Sequence, residues 1–274
     1  MKMPPFRYHR PDTADEALRL LRELGSDAKV LAGGQSLLPL LALRLSRPEH
    51  LVDISAISDL AGIEESESGT VVGAAVRHAG AERSPLLERR APLAAAAMPL
   101  IGHRAIRSRG TVCGSLAHAD PAAELPAVTL ALDAEMVVRR AGAERRVPAR
   151  DFFLGYLTSA LDDDEMLAAV RFPAWPERTG FSIQEVSRRH GDYALVGLAA
   201  VLGTGADGRV ERAALSFFGA GSTPVRVAEA AATVTKAIDP PDDNHATAAY
   251  RAHVAGVLTR RCLAEAAGRI GVAA

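Results

Sequence analysis

Cysteine is nearly absent: the 274-residue chain has two, Cys113 and Cys262, far apart in sequence. A disulfide framework, a four-cysteine zinc site or a protein-held iron–sulfur cluster each needs more. An electron-carrying role would therefore require an organic cofactor or a cluster on a partner. Aromatic residues are scarce too, at 4%, which argues against a surface that stacks nucleic-acid bases. Neither sign of charge dominates, since 32 Lys and Arg against 33 Asp and Glu leave a formal charge of −1. Nucleic-acid binding that relies on clustered basic charge is not expected. Long apolar runs are also missing. The longest, LLPLLAL (37–43) and ALVGLAAVL (194–202), fall well short of the roughly 20 residues that span a bilayer. The opening MKMPPFRYHRPDT has no apolar core and no cleavage pattern, so no signal peptide is expected. A cytoplasmic location without a membrane span is the expectation.

What is present is ordinary for a globular chain: 48% apolar and 24% charged residues, which excludes disorder as the dominant state. The length suggests two sub-domains sharing a core. Thr13–Leu24 predicts a helix, with Thr13 as cap, Glu16 completing a capping box, and Ala17, Leu20, Leu21 and Leu24 on one face. Gly25 is expected to end it in the left-handed conformation. KVLAG and HLVDIS read as strands around a second helix, so residues 1–55 predict a small α/β unit with a parallel sheet. Strand or hairpin is expected over Glu67–Val76, and a single helix over Leu86–Met98. Strands are expected over Thr111–Leu116, Glu135–Arg140 and Asp164–Phe172. The proline-bearing PAWPER (173–178) marks a boundary. Beyond it, three antiparallel strands turn at Gly191–Asp192 and Asp207–Gly208. Helices are expected over Val225–Ala237 and Ala246–Ala267, joined by the loop Asp239–Asn244.

Two segments carry the chemistry. Leu31-Ala32-Gly33-Gly34-Gln35-Ser36-Leu37 joins a strand to a helix. Adjacent glycines let the backbone turn tightly and let an anion reach the amides. The amides of Gln35, Ser36 and Leu37 open a helix, where unpaired N–H groups suit phosphate. An ordinary strand-to-helix turn has the same composition. The second segment, RGTVCGSLAHADPAAELP (109–126), again combines small residues with hydroxyls: Thr111, Gly114 and Ser115. His118, Asp120 and Glu124 follow. Their spacing fits no zinc signature, and Glu124 suits hydrogen bonding to hydroxyls. Asp120-Pro121 reads as a helix cap followed by proline.

Together, AGGQS and TVCGS resemble the two FAD-binding segments of the medium subunits of molybdenum hydroxylases, the xanthine dehydrogenase and carbon monoxide dehydrogenase family. PPFRYHRP, LVDIS and RRHGDYALVGLAA resemble it in the same order, so the likeness covers essentially the whole chain. The resemblance implies an α+β fold: a two-lobed FAD-binding domain of the vanillyl-alcohol-oxidase type over 1–175 (small lobe 1–55, larger lobe 56–175). A C-terminal domain of three antiparallel strands with helices follows over 176–274. It implies diphosphate contacts from Ala32–Ser36, Thr111, Gly114 and Ser115, within a segment bounded by Leu31 and Leu37. It also implies a cofactor contact from Glu124, the adenine end near Met166 and Leu167, and Tyr193 beside the isoalloxazine ring.

The implied role is electron transfer by FAD, from [2Fe–2S] clusters on a small partner subunit to an external acceptor. The molybdenum cofactor would sit on a large partner, in a dimer of heterotrimers. No side-chain acid, base or nucleophile is nominated. An autonomous flavin oxidoreductase and an FAD-free assembly scaffold are the alternatives. The chain departs from the family in three places. Cys113-Gly114 stands where Gly-Gly is frequent, which implies a slightly different turn or strain at Gly114. A lysine frequent near Gln184 or Glu185 is missing, and so is a cysteine-rich insertion, which argues against the hydroxybenzoyl-CoA reductase branch. Arg188 and Arg189 are either a solvated strand end or partners for groups near the flavin.

Overall fold

A computed structural model describes residues 2–227 and 237–270. The chain opens with β1 (Arg7–His9), α1 (Ala14–Leu24), β2 (Ala28–Leu31), α2 (Leu37–Ala42) and β3 (His50–Asp53). The strands form a parallel sheet in the order β1-β3-β2. Thr13 caps α1 as expected, its hydroxyl accepting the Glu16 N–H at 3.2 Å. The box closes one residue early, because Glu16 accepts from the Asp12 N–H at 3.0 Å. The buried face is Ala14, Ala17, Leu18 and Leu21; Leu20 and Leu24 are half-buried. Gly25 does take a positive φ of 54°, but its ψ of −135° lies outside the left-handed helical well.

The larger part of the N-terminal body starts with the hairpin β4 (Ile63–Ser66) and β5 (Gly69–Gly73). Short helices follow: α3 (His78–Glu82), α4 (Pro85–Arg90), α5 (Pro92–Ala97) and α6 (Arg104–Arg107). Next come α7 (Val112–His118) and α8 (Glu124–Ala131), then β6 (Glu135–Arg140), β7 (Ala143–Pro148), α9 (Ala149–Phe152), β8 (Phe153–Gly155), β9 (Thr158–Ser159) and β10 (Met166–Pro173). An antiparallel sheet runs β4-β5-β10-β6-β7.

Three expectations are corrected here. The helix expected over Leu86–Met98 is two helices, because Pro92 pushes Ala91 to an extended φ of −145°. The strand expected over Thr111–Leu116 is a helix. Only Thr111 is extended, and its hydroxyl accepts the Gly114 N–H at 3.1 Å, which starts α7. Asp120 does not cap a helix: its carboxylate accepts the Ala122 N–H at 2.9 Å in a turn, and α8 begins only at Glu124.

The C-terminal sheet is antiparallel: β11 (Thr179–Ser187), β12 (Ala194–Thr204), β13 (Val210–Phe218) and β14 (Val225–Val227), in that order. The three expected strands are present, with β14 added, so Val225–Val227 is strand rather than helix. The rest of the helix expected to Ala237 falls largely on 228–236, outside the described residues. α10 (Ala248–Ile270) packs on this sheet. Alternation along β12 explains its unbroken apolar run. Val196, Leu198 and Ala200 pack with Val254, Leu258 and Cys262 of α10, whereas Ala199 and Val201 join the core of the N-terminal body. A sheet buried on both faces needs no polar residues between its apolar ones.

Candidate cofactor site

The first loop leaves β2 and turns at Gly34, whose φ is +71°. Leu38 N–H donates to Gly34 O at 3.1 Å and opens α2. Ser36 stands at the helix start without a side-chain capping bond. A side chain on Gly33 would run into the backbone oxygen of Arg109 and lie 2.6 Å from Gly110 Cα. The first loop is therefore pressed, backbone to backbone, against the residues that lead into Thr111.

In the second loop, a Cβ on Gly114 would sit 2.6 Å from the Thr111 hydroxyl oxygen. The cap bond itself thus demands a glycine. Neither Cys113 nor Gly114 has a positive φ, so the strain anticipated for this pair does not arise; both are helical. Cys113 is buried, its thiol points at Val72 O at 3.6 Å, and burial pushes it up to about 12. It stays a thiol at neutral pH.

Between the loops lies a cavity of about 630 Å³. Residues 32–37 of the first loop line it, as do Thr111, Gly114 and Ser115. Glu124, Met166, Leu167 and Tyr193 line it as well. Of the residues selected from the sequence, Leu31 alone is outside; its side chain packs toward Gly34. Tyr193 arrives on the β11–β12 hairpin, whose Gly191 leaves no room for a Cβ against His103. Arg188 and Arg189 are exposed at the end of β11, Arg188 lying 3.3 Å from His245, and neither lines the cavity.

The electrostatics are acidic at one end. Glu124, the first residue of α8, is only 6% exposed. Burial pushes its carboxyl up to about 8, with Glu185 and Asp120 adding repulsion and its own backbone N–H opposing. Tyr193 is an exposed residue at the cavity mouth, yet loss of solvent around its hydroxyl, followed by the charges of Asp120 and Glu124, pushes it up to about 12. His118 is held below its ordinary value by burial. One lining residue had no sequence signal. His78 is 4% exposed and has no hydrogen-bond partner on either ring nitrogen. Burial pushes it down to about 4, so a neutral imidazole faces the cavity. It is brought there by the bridge between Arg77 and Thr111, a tertiary contact that no local pattern announces.

These features fit a dinucleotide. Among the described residues, the only lysine or arginine lining the cavity is Lys29, whose ammonium lies 3.9 Å from Asp163. A diphosphate held here would rely on backbone N–H groups and hydroxyls rather than on cations, which suits two loops stripped of side chains.

Residues 4–175 match the family described as the FAD binding domain in molybdopterin dehydrogenase. The segments 181–233 and 226–266 match the CO dehydrogenase flavoprotein C-terminal domain. The chain belongs to the FAD-binding medium subunits of the molybdenum hydroxylases. One relative of this medium subunit is the 6-hydroxypseudooxynicotine dehydrogenase complex subunit alpha of Paenarthrobacter nicotinovorans, 40% identical over 98% of this chain and 97% of the relative. Another is the carbon monoxide dehydrogenase medium chain of Hydrogenophaga pseudoflava, 36% identical over 95% and 96%. The solved structure of the carbon monoxide dehydrogenase from Hydrogenophaga pseudoflava superimposes with a TM-score of 0.93, 36% identity, and coverage of 98% of this chain and 99% of that one. The medium subunit thus has the two-lobed FAD-binding fold with its C-terminal domain, FAD as cofactor, and a place in an oxidoreductase complex. No described helix is long and apolar enough to cross a membrane.

Proposed function

We propose that this medium subunit is the electron-transfer flavoprotein of its complex. It stands between [2Fe–2S] clusters on a small partner subunit and an external acceptor, with the molybdenum cofactor on a large partner. When bound, FAD supplies the exchange between single-electron and paired-electron chemistry. The chain's own residues bind, orient and shield. The backbone of Ala32–Ser36 and the hydroxyls of Thr111 and Ser115 hold the diphosphate. Met166 and Leu167 meet the adenine end. Glu124 and Tyr193 flank the isoalloxazine ring, Tyr193 covering it at the mouth. Leu31 and Leu37 bound the first loop, and only Leu37 faces the cofactor.

The observation that carries this reading is the backbone contact of Gly33 with Arg109 and Gly110, which sets both loops on one cavity together with Glu124 and Tyr193. The division into an FAD-binding domain over 1–175, split at residue 55, and a C-terminal flavin-subunit domain over 176–274 belongs to the same proposal. So do cytoplasmic residence and a dimer of heterotrimers. Purification from the native host tests it. The expected result is a flavin spectrum at one FAD per chain, with molybdenum and iron–sulfur subunits in the same peak. A colourless folded chain would point to a scaffold, and a yellow chain that oxidises substrate without partners to an autonomous enzyme.

A further inference from the structure

We propose that Glu124 and Glu185 act as one carboxyl pair that keeps a single proton near neutral pH and offers it, as a hydrogen-bond donor, to the ring end of bound FAD. This rests on the functional reading above and adds a positioning role that reading does not contain. The geometry comes from two elements. On β11, Ile183 packs against the cluster that contains Ala127 of α8. Glu185, two residues on, shares the face of Ile183. Glu124 shares the face of Ala127, one turn back along α8. The neighbouring β11 residue Gln184 points the other way, donating to Glu265 of α10 at 2.9 Å.

Among the described residues, nothing beside the pair neutralises it. Glu124 is only 6% exposed, lines the cavity and makes no hydrogen bond to another described residue through its carboxyl. The Glu185 Oε2 is shielded from solvent and has no partner. The cross-strand neighbour of Glu185 is Gly197, which has no side chain to offer. Among the described residues no lysine or arginine pairs with either carboxyl: Lys29 lies beside Asp163, and Arg188 and Arg189 are exposed. The other titratable groups facing this end are Asp120 and His118, from the turn and α7, and Asp192 and Tyr193 from the hairpin. The face of α5 that meets β11 carries leucine and alanine. Glu265 of α10 is taken up by Ser182 and Gln184 on the far side of β11.

Two shielded carboxyls that repel each other do not both ionise near neutrality, and they titrate as a unit. Burial, with the repulsion between them, pushes Glu124 up to about 8, and burial pushes Glu185 up to about 7. A pair holding one proton has one O–H to donate and one carboxylate to accept, which suits a ring edge carrying both kinds of polar atom.

The test is the visible spectrum of the full chain loaded with FAD, titrated between about pH 5.5 and pH 9, with free FAD in the same buffers as reference. The wild-type protein should show a shift of the bound-flavin bands between about pH 7 and pH 8, as the pair passes through its singly protonated form. Glu124→Gln should abolish it, and Glu185→Gln, which removes the repulsion but leaves Glu124 buried, should move its midpoint down. Glu185→Lys, which sets a cation against Glu124, should abolish it while FAD stays bound. Flat wild-type bands with FAD fully bound would overturn the pair and leave the functional reading standing. A shift that persists unchanged in Glu185→Gln would also overturn it. Failure of the wild-type chain to take up FAD would instead defeat the underlying reading. The wild-type titration and Glu185→Gln, on a half-buried strand position, decide the matter even if Glu124→Gln does not fold.

Discussion

The two glycine loops look interchangeable in sequence and are built on different physics. In the first, Gly34 is needed for its φ of +71° and Gly33 for the space its missing Cβ leaves to Arg109 and Gly110. In the second, neither Cys113 nor Gly114 has a positive φ, and Gly114 is required because the Thr111 hydroxyl oxygen accepts its N–H as the helix cap and leaves no room for a Cβ. One glycine thus serves conformation, one serves contact between loops, and one serves a hydrogen bond. The same small-residue composition reaches a shared result, a bare backbone beside one cavity, by three routes.

Substitutions break this comparison in graded steps. Gly33→Val is the most damaging, because the new side chain meets backbone atoms of the other loop and cannot rotate away. Separation of the loops is expected to cost about 1–3 kcal/mol of stability and about tenfold or more in FAD affinity, read by denaturant unfolding and flavin fluorescence titration. Gly34→Ala should cost about 1–2 kcal/mol through its left-handed backbone, with no second-site rescue. Gly114→Ala should cost about 1 kcal/mol by displacing the cap. Most of that cost should vanish in a Thr111→Ala background, where the colliding hydroxyl is gone. Additive losses in that double-mutant cycle would show that Gly114 is there for another reason.

A smaller effect separates the acidic end from the loops. Glu124 is held at about 8 in the folded chain, above the ordinary carboxyl value of 4.5. The folded state therefore binds more protons across that interval. The stability Glu124 contributes is complete below 4.5 and is lost as pH rises toward 8. Glu124→Gln should flatten this decline by on the order of 1 kcal/mol, measured by unfolding the FAD-free chain at pH 7 and pH 8. A slope unchanged by the substitution would remove Glu124 as its source. The least effect is expected from Arg188→Ala. Arg188 is exposed and outside the cavity, so stability should move by less than about 0.5 kcal/mol and FAD affinity should hold.

The residues also show what is legible without a structure. Both loops, Glu124 and Tyr193, which line one cavity, each belong to a short contiguous pattern. The C-terminal strands were readable because burial on both faces leaves an unbroken apolar run in β12. The opening of α7 was misread because Thr111-Val112 is β-branched and locally favours a strand, while the deciding event is one hydroxyl accepting one N–H. His78 and Glu185 carried no signal. Their surroundings are made by α7, α8 and the bridge at Arg77, elements remote in sequence. The helix over Leu86–Met98 failed at a single proline, whose effect on the residue before it outweighed a run of good helix formers.

The most direct test is a crystal structure of the full chain loaded with FAD. The account predicts both phosphates within hydrogen-bonding distance of backbone N–H groups in residues 33–36 and of the Thr111 to Ser115 turn, with the isoalloxazine ring at the Glu124 and Tyr193 end. A diphosphate bound by one loop alone, or a ring lying at Met166 and Leu167, would contradict it.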